Sequence, residues 1–328
     1  MNRRQFLFSG ALAGLSVRTG NFNDLVHLLN SSQDPRVRVL ADNDRFTLKA
    51  YSDGFRRGDF VVIEAEPKEP LESSTFNYNA ITNRNTTRQF TLPKLEKDGK
   101  IYTLAGIDAE YPKQVTKLEV ILIAKGRNIG NKDSFNIPIL DREFKSEYLE
   151  SANVENVSPS SPEDVESQKR ETRILYPSWD GITIANYIQD GFISPRPRCN
   201  PESFGSRRFY DGVEKSFHKG TDCRGNVGDL IVAPMSGVVK LTEQDFFYMG
   251  DTVVLDHGLG LYTLHAHMGE QLVKLGQYVK IGTSIGRIGK TGRTNGAHLH
   301  WQAKLYGGIR EAMNMNPMSL EVLNQVFR

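Results

Sequence analysis

Between residues 35 and 145 the chain alternates apolar and polar positions in short runs broken by polar turns. "RFTLKAYS", "DFVVIEAEP", "RQFTLPKL", "IYTLAGIDAEY", "KLEVILIAKG" and "SFNIPIL" each read as a strand. Gly54, the Asp98-Gly99 pair, Gly126 and Gly130 supply the turn chemistry between them. Strands at this spacing predict an immunoglobulin-like β-sandwich over 35–145. No titratable residues cluster within it, so it reads as a binding or regulatory module without chemistry of its own.

Residues 146–200 read as a linker with one helix. In "SPSSPEDVESQKRETRIL" a serine precedes Pro162, and Glu163 and Asp164 sit at the positive end of the predicted helix, which Pro177 stops near Tyr176. The prolines of "SPRPRC" (194–199) keep that stretch out of a sheet. From 201 to 328 the β pattern returns with many glycines: "DLIVAPMSGVVKL", "DTVVLDHG", "LYTLHAHM", "QYVKIGTSIGRIG" and "HLHWQAKLY". A 3.6-residue apolar period is met only at "MSLEVLNQVF". The second domain is therefore antiparallel β, and the chain as a whole mainly β. It carries no Rossmann or phosphate-loop fingerprint.

Composition narrows the function without naming it. Of 328 residues 41 are Lys or Arg and 39 Asp or Glu, a net charge of +2 that gives no reason to expect a nucleic-acid partner. The first twenty residues, "MNRRQFLFSGALAGLSVRTG", place two arginines before a short apolar stretch, the layout of an export signal of twin-arginine type. Asn2 and Phe8 depart from that pattern, and Ala11-Leu12-Ala13 comes early for a cleavage site, so an uncleaved signal stays open. No other membrane span is expected. In an oxidising envelope Cys199 and Cys223 could form one disulfide or stay as two thiols, and Cys223, next to Asp222, could instead be a metal ligand.

Six of the seven histidines lie between His218 and His300. "HKGTD" offers His218 and Asp222 four apart, with Gly220 between them to let the backbone bend. On a strand, His298 and His300 share a face with Gln302 and Lys304, a polar face that opens onto a cleft or solvent, while Leu299, Trp301, Ala303 and Leu305 face the core. Two imidazoles ~6.5–7 Å apart along one strand cannot both be ideal ligands. One binds a metal and the other stands beside it. His218, Asp222 and His300 make two imidazoles and a carboxylate with a fourth position free, the catalytic zinc pattern. His257 precedes a turn glycine and reads as structural, and His27 lies outside the cluster.

"FGSRRFYDG…SFHKGTD", "APMSGVVKL", "DTVVLDHGLGLYTLHAHM" and "VKLGQYVKIGTSIGRIGKTGRTNGAHLHW" together resemble the lysostaphin/LytM-type zinc metallopeptidases over about 204–320. The resemblance implies Zn2+ on His218, Asp222 and His300, with His267 and His298 as the two non-ligand catalytic histidines. His265 stands where such proteins often carry an aromatic, which leaves an auxiliary role open to it. "DCRGNVGDLIVAP" departs from the usual small, apolar stretch after the aspartate. The implied activity is hydrolysis of peptide cross-links or stems of bacterial peptidoglycan, as endopeptidase or carboxypeptidase, in the periplasm or cell envelope. Loops around 206–217, 243–250 and 291–297 are expected to wall the groove. The alternative is a catalytically inactive relative that activates or scaffolds another wall hydrolase. A biotinyl- or lipoyl-type carrier would need a modifiable lysine on a tight hairpin, which the glycine-rich strands lack.

Overall fold

A computed structural model describes residues 34–327, apart from 69–72, 82–86, 107, 111–116, 126–130, 150–158, 160, 211 and 307–311. The export-signal stretch, His27, Gly126 and Gly130 lie outside the described residues. The described chain is mainly β, as its patterning predicts.

The amino-terminal half builds two antiparallel sheets. In the first, Val37–Asp42, Phe46–Tyr51, Phe60–Pro67, Lys100–Gly106 and Lys94–Lys97 are neighbours in that order; the second runs Thr87–Leu92, Ser73–Ile81, Lys117–Lys125, Asn131–Pro138. Strict alternation explains why they stack. Phe46, Leu48 and Ala50 are fully buried while the residues between them are not, and they meet Ile63, Phe76, Leu92 and Ile137 in one shared core. The other face of the first sheet is not left to solvent. Phe60, Val62, Tyr102 and Leu104 join the core of the carboxyl-terminal half, against Leu320, Val322 and Leu323 of its last turns. Gly106 marks how closely the halves meet: a Cβ there would lie 2.2 Å from Cε of Met315.

The carboxyl-terminal half centres on a nine-stranded sheet. Its main path is Thr221–Arg224, His298–Leu305, Leu261–Gln271, Gly250–Asp256, Gly237–Phe246 and Tyr278–Val279. Every pairing within it is antiparallel. On one face Trp301, Leu299 and Ala303 are buried against Phe192, Ile285 and the carboxyl-terminal helix Val322–Phe327.

The stretch expected to be only a linker takes part in this architecture. Ser146–Leu149 pairs in parallel with Arg207–Tyr210, which pairs with Val213–Phe217 in a three-stranded sheet. The 206–217 segment is thus a hairpin held in a sheet and not a loop. The helix Pro162–Leu175 forms where its caps place it: Ser161 Oγ accepts from Asp164 N–H at 3.0 Å, Pro162 opens the first turn, and a 3₁₀ turn, Tyr176–Trp179, follows. Leu175 and Trp179 cover the second face of the large sheet over Val254, Tyr262 and Leu264. The polar face of His298–Leu305 is therefore not open along its length. Gln302 and Lys304 are buried, and the Lys304 ammonium lies 5.6 Å from the centre of the Trp179 ring.

Two buried histidines of this half make its stability depend on pH. His257 is fully enclosed, its ring held between the Ser236 carbonyl at 2.9 Å and Thr263 Oγ1 at 2.7 Å, and burial pushes its pKa down to about 4. His265 is likewise enclosed and pushed down to about 3 by burial, with His257 adding to it. The Val253 backbone opposes this only weakly, and neither ring nitrogen meets a partner in hydrogen-bonding geometry. Unfolded, both rings would take up protons near pH 6.5. The folded protein binds fewer protons than the unfolded chain below that pH, so stability is lost as pH falls from 6.5 towards 4. With chelator present throughout, these two rings alone should make the protein on the order of 5 kcal/mol less stable to denaturant at pH 4.5 than at pH 7.5. His265→Phe should remove about half of this loss, leaving the share of His257. A pH dependence unchanged in that variant would contradict the assignment to His265.

Candidate active site

The strand His298–Leu305 runs between Thr221–Arg224 and Leu261–Gln271, with Asp222 on one side and Ala266 on the other directly opposite His300. Opposed residues of an antiparallel pair share a face. Asp222 Oδ1 and His300 Nδ1 accordingly lie 3.0 Å apart. His218, just past the end of Val213–Phe217, brings Nε2 to 3.2 Å from Asp222 Oδ1 and 3.0 Å from His300 Nδ1. The three donors predicted as ligands thus converge on one point.

Their separations match what a small tetrahedral cation requires. Zinc–ligand bonds of ~2.0–2.1 Å at tetrahedral angles place ligand atoms about 3.3–3.4 Å apart, a few tenths more than the three edges here. The rings are also turned for ligation. His218 Nδ1–H donates to the Ser203 carbonyl at 2.6 Å, which leaves Nε2 a lone pair facing inward. His300 Nε2 lies 2.8 Å from the side-chain amide of Gln302. A ring that offers Nδ1 inward carries its proton on Nε2 and donates it to the amide oxygen, once that amide turns its oxygen end to the ring. Burial works against charge on Asp222, but the His218 and His300 rings beside it outweigh burial and hold the carboxyl well below the usual carboxylate range. Burial lowers His300, with Asp222 opposing only in part. A carboxylate beside neutral imidazoles is the state in which this set binds a metal.

Gly220 serves this cluster through space and not through bending. Its φ is not in the left-handed region, but a Cβ there would sit 2.7 Å from Cε1 of His300 and 2.7 Å from the Trp301 carbonyl oxygen.

His267 reaches the site by a route that simple alternation forbids. His265 is opposite Trp301 and Ala266 opposite His300, so a regular strand would send His267 into the core beside His265. Instead the register with Gly250–Asp256 shifts between Asp251 and Val253, and His267 adopts φ 59°. The extra residue and left-handed backbone turn its ring to the opposite face. Its ring centre then lies 4.8 Å from that of His298 and 5.8 Å from that of His300. His267 Nδ1–H donates to the Thr291 carbonyl at 2.9 Å, and His298 Nδ1–H to the Gly296 carbonyl at 2.9 Å. Both rings are thereby left with a basic Nε2. Burial, with pressure from His300 and His298, pushes His267 down to about 3, so it is neutral at ordinary pH.

The supports come from the 247–249 turn and the 291–297 loop. His267 N–H donates to the Met249 carbonyl at 2.9 Å, and buried Glu171 of the helix accepts from Tyr248 N–H at 2.7 Å. His265 takes no part. It points into the core, so the auxiliary role left open for it has no geometric basis. Sequence reading missed Ser203, whose carbonyl and Oγ serve His218 and Asp222 N–H respectively, and Gln302. Only the Gln302 position, two beyond His300 on the same face, carried a readable signal.

Cys199 and Cys223 form a disulfide that closes over the turn carrying Ser203, so Cys223 is no metal ligand. Its half-cystine at 199 also pairs with 223 as an isolated bridge, which places the end of the proline-rich stretch against the sheet after all. Cys199→Ser should lower the unfolding free energy by about 3 kcal/mol through the lost constraint on a loop of this size. It should also weaken metal retention about tenfold, because the turn that orients His218 and Asp222 is freed. Denaturant titration and competition with a chelator read the two effects; unchanged metal affinity would remove the bridge from the site's support.

A two-imidazole, one-carboxylate cluster on an antiparallel sheet, flanked by two further imidazoles, is the donor set of a metallopeptidase. Residues 216–315 match the sequence profile of peptidase family M23. Peptidoglycan DD-endopeptidase ShyA of Vibrio cholerae is 29% identical over 225 residues, which cover 66% of this chain and 51% of ShyA. Peptidoglycan DD-endopeptidase ShyC of the same organism is 38% identical over 105 residues, 32% of this chain and 21% of ShyC. The chain thus spans about half the length of one relative and a fifth of the other. A solved structure from Pseudomonas aeruginosa assigned to peptidase M23 shares the fold, with a TM-score of 0.54 at 18% identity over 83% of this chain and 96% of that one. The part of the chain that holds the site is thus a peptidase M23 domain, of a metallopeptidase family.

Proposed function

We propose that the protein is an exported zinc-dependent endopeptidase that hydrolyses peptide cross-links or stems of bacterial peptidoglycan in the periplasm or cell envelope. The observation that carries this reading is the convergence of His218 Nε2, Asp222 Oδ1 and His300 Nδ1 beside His267 and His298. The substrate is taken from what the relatives ShyA and ShyC are named for. Residues 1–20 act as the export signal and 35–145 as an immunoglobulin-like sandwich module, a reading supported by two sheets sharing one core.

Zinc bound by His218, Asp222 and His300 supplies Lewis acidity towards the scissile carbonyl and the attacking water. The remaining steps belong to His267 and His298. One accepts the water's proton on Nε2, and the pair returns a proton to the departing amine. As an imidazolium, one also steadies charge developing on the carbonyl oxygen. The carbonyls of Thr291 and Gly296 fix both rings in the tautomer this needs.

Amide and glycoside cleavage leave different ends. Purified, zinc-loaded protein should release new amino groups from purified peptidoglycan and no new reducing sugar ends, and a strong chelator should abolish the release. The donor cluster has one carboxylate and several imidazoles, whereas glycoside hydrolysis usually needs a carboxyl pair. Reducing ends without amines would overturn the reading.

A further inference from the structure

The sequence after the metal-binding aspartate departs from the stretch usual in proteins it resembles, and the structure places that departure at the site. Arg224 lies two residues beyond Asp222 on the same strand and is directly opposite His298, as Asp222 is opposite His300. On the other edge of this short strand, Asn200 N–H donates to the Asp222 carbonyl at 2.9 Å and Arg224 N–H to the Arg198 carbonyl at 3.3 Å, around the antiparallel bridge Cys199–Cys223. One row of positions crosses the three segments at Asn200, Asp222 and His300; the next holds Arg224 and His298, with Arg198, whose φ is 63°, at its edge. The second row lies about 7 Å along the strand from the first.

Both arginines of the second row are exposed, and neither guanidinium has a hydrogen bond or ion pair among the described residues. Like charges opposed across a sheet are unfavourable unless an anion lies between them. The neighbouring groups do not supply one. Asp229 is already engaged by Arg196 Nη2 at 2.5 Å, and Arg196 is further held by the carbonyls of Arg224 and Leu230. Glu202 lines the metal-side groove and makes no ion pair with either arginine. Arg224 lines two adjoining hollows. One, of about 230 Å³, contains His218 and Asp222; the other, of about 520 Å³, contains Arg196 and Arg198. Arg224 therefore borders the space a substrate would occupy just past the metal centre, and Arg198 lines the adjoining hollow that Arg224 shares with it.

We propose that Arg224 and Arg198 form a carboxylate-binding subsite that selects peptides carrying a free carboxylate within a few residues of the scissile amide. An extended residue spans at most about 3.5 Å, so the offset of the second row corresponds to roughly two residues of substrate. Planar guanidinium groups suit a carboxylate, which each can grip through two N–H donors. The subsite rests on the hydrolytic reading above and deepens it. The carboxylate is either the terminal one of the peptide or a side-chain one.

The test uses the full chain and one cross-linked wall fragment in four forms: untreated, amidated at its termini only, amidated at its side-chain carboxylates only, and fully amidated. Wild type should cleave the untreated form with kcat/KM about tenfold or more above the fully amidated form, the scale of one charge-assisted hydrogen-bonded pair. The singly amidated forms identify which carboxylate matters. Arg224→Ala should erase most of that ratio at unchanged zinc content, and Arg224→Lys should restore part of it. A ratio unaltered in Arg224→Ala, or no preference in wild type, would overturn the subsite. Calorimetric binding to metal-free protein separates this proposal from the hydrolytic one. Binding that depends on the carboxylate and on Arg224, with no amine released by zinc-loaded wild type, would keep the subsite and sink the hydrolase. Hydrolysis of all four forms at equal rates would do the reverse.

Discussion

His300→Ala will leave the protein without its metal, whereas His298→Ala, two residues away on the same face, will keep it. The difference follows from where each ring points. His300 Nδ1 lies 3.0 Å from both Asp222 Oδ1 and His218 Nε2, at the convergence of the donors. His298 Nε2 is 3.6 Å from Asp222 Oδ1, and its Nδ1 is committed to the Gly296 carbonyl and Thr294 Oγ1. Losing one of three ligands leaves a carboxylate and one imidazole, too few donors for a zinc site of the catalytic kind. Metal content by elemental analysis after dialysis should fall to background in His300→Ala and remain stoichiometric in His298→Ala. Full occupancy in His300→Ala would contradict the ligand assignment.

The second large effect is on turnover with the metal in place. His267→Ala and His298→Ala should each lower kcat by roughly 10²-fold or more, the usual scale for a positioned proton-transfer group. His267 has a further signature. Its backbone sits at φ 59°, where a non-glycine residue is under strain. His267→Gly should therefore be more stable to denaturant than His267→Ala by up to about 1 kcal/mol while equally inactive. Equal activity in all three proteins would remove His267 from the chemistry; equal stability in the two variants would show that the bulge does not depend on this residue.

The ligand set was legible because each contributor carries a local pattern. A histidine and an aspartate four apart and a pair of histidines two apart are visible without a fold, and antiparallel pairing then brings Asp222 opposite His300. His267 was different. Alternation along "LYTLHAHM" assigns it to the same face as His265, and a bulge set by pairing with Gly250–Asp256 reverses that; only the family resemblance pointed to it. Ser203 was out of reach for a related reason. Its carbonyl is a backbone group, and no side-chain chemistry marks a carbonyl that will receive an imidazole N–H.

The fold divides in the same way. Many strand runs over 35–145 and 201–328 were readable from period-two alternation, though Val37–Asp42, Ser73–Ile81 and Thr221–Arg224 did not stand out, and the Ser161-Pro162 cap marked the helix. The strand Ser146–Leu149 was not readable, because four residues are too short a run to stand out and their pairing is with Arg207–Tyr210, some sixty residues on. The polar face of His298–Leu305 looked open because Gln302 and Lys304 are polar. Trp179 and Leu175, from the stretch that reads as a linker, cover that face instead.

Anomalous diffraction from crystals of the zinc-loaded protein, recorded on both sides of the zinc absorption edge, tests the central claim most directly. A single zinc peak should lie ~2.0–2.2 Å from His218 Nε2, Asp222 Oδ1 and His300 Nδ1, with His267 and His298 outside bonding distance. A peak ligated by His267 or His298, or no peak among the three donors, would contradict it.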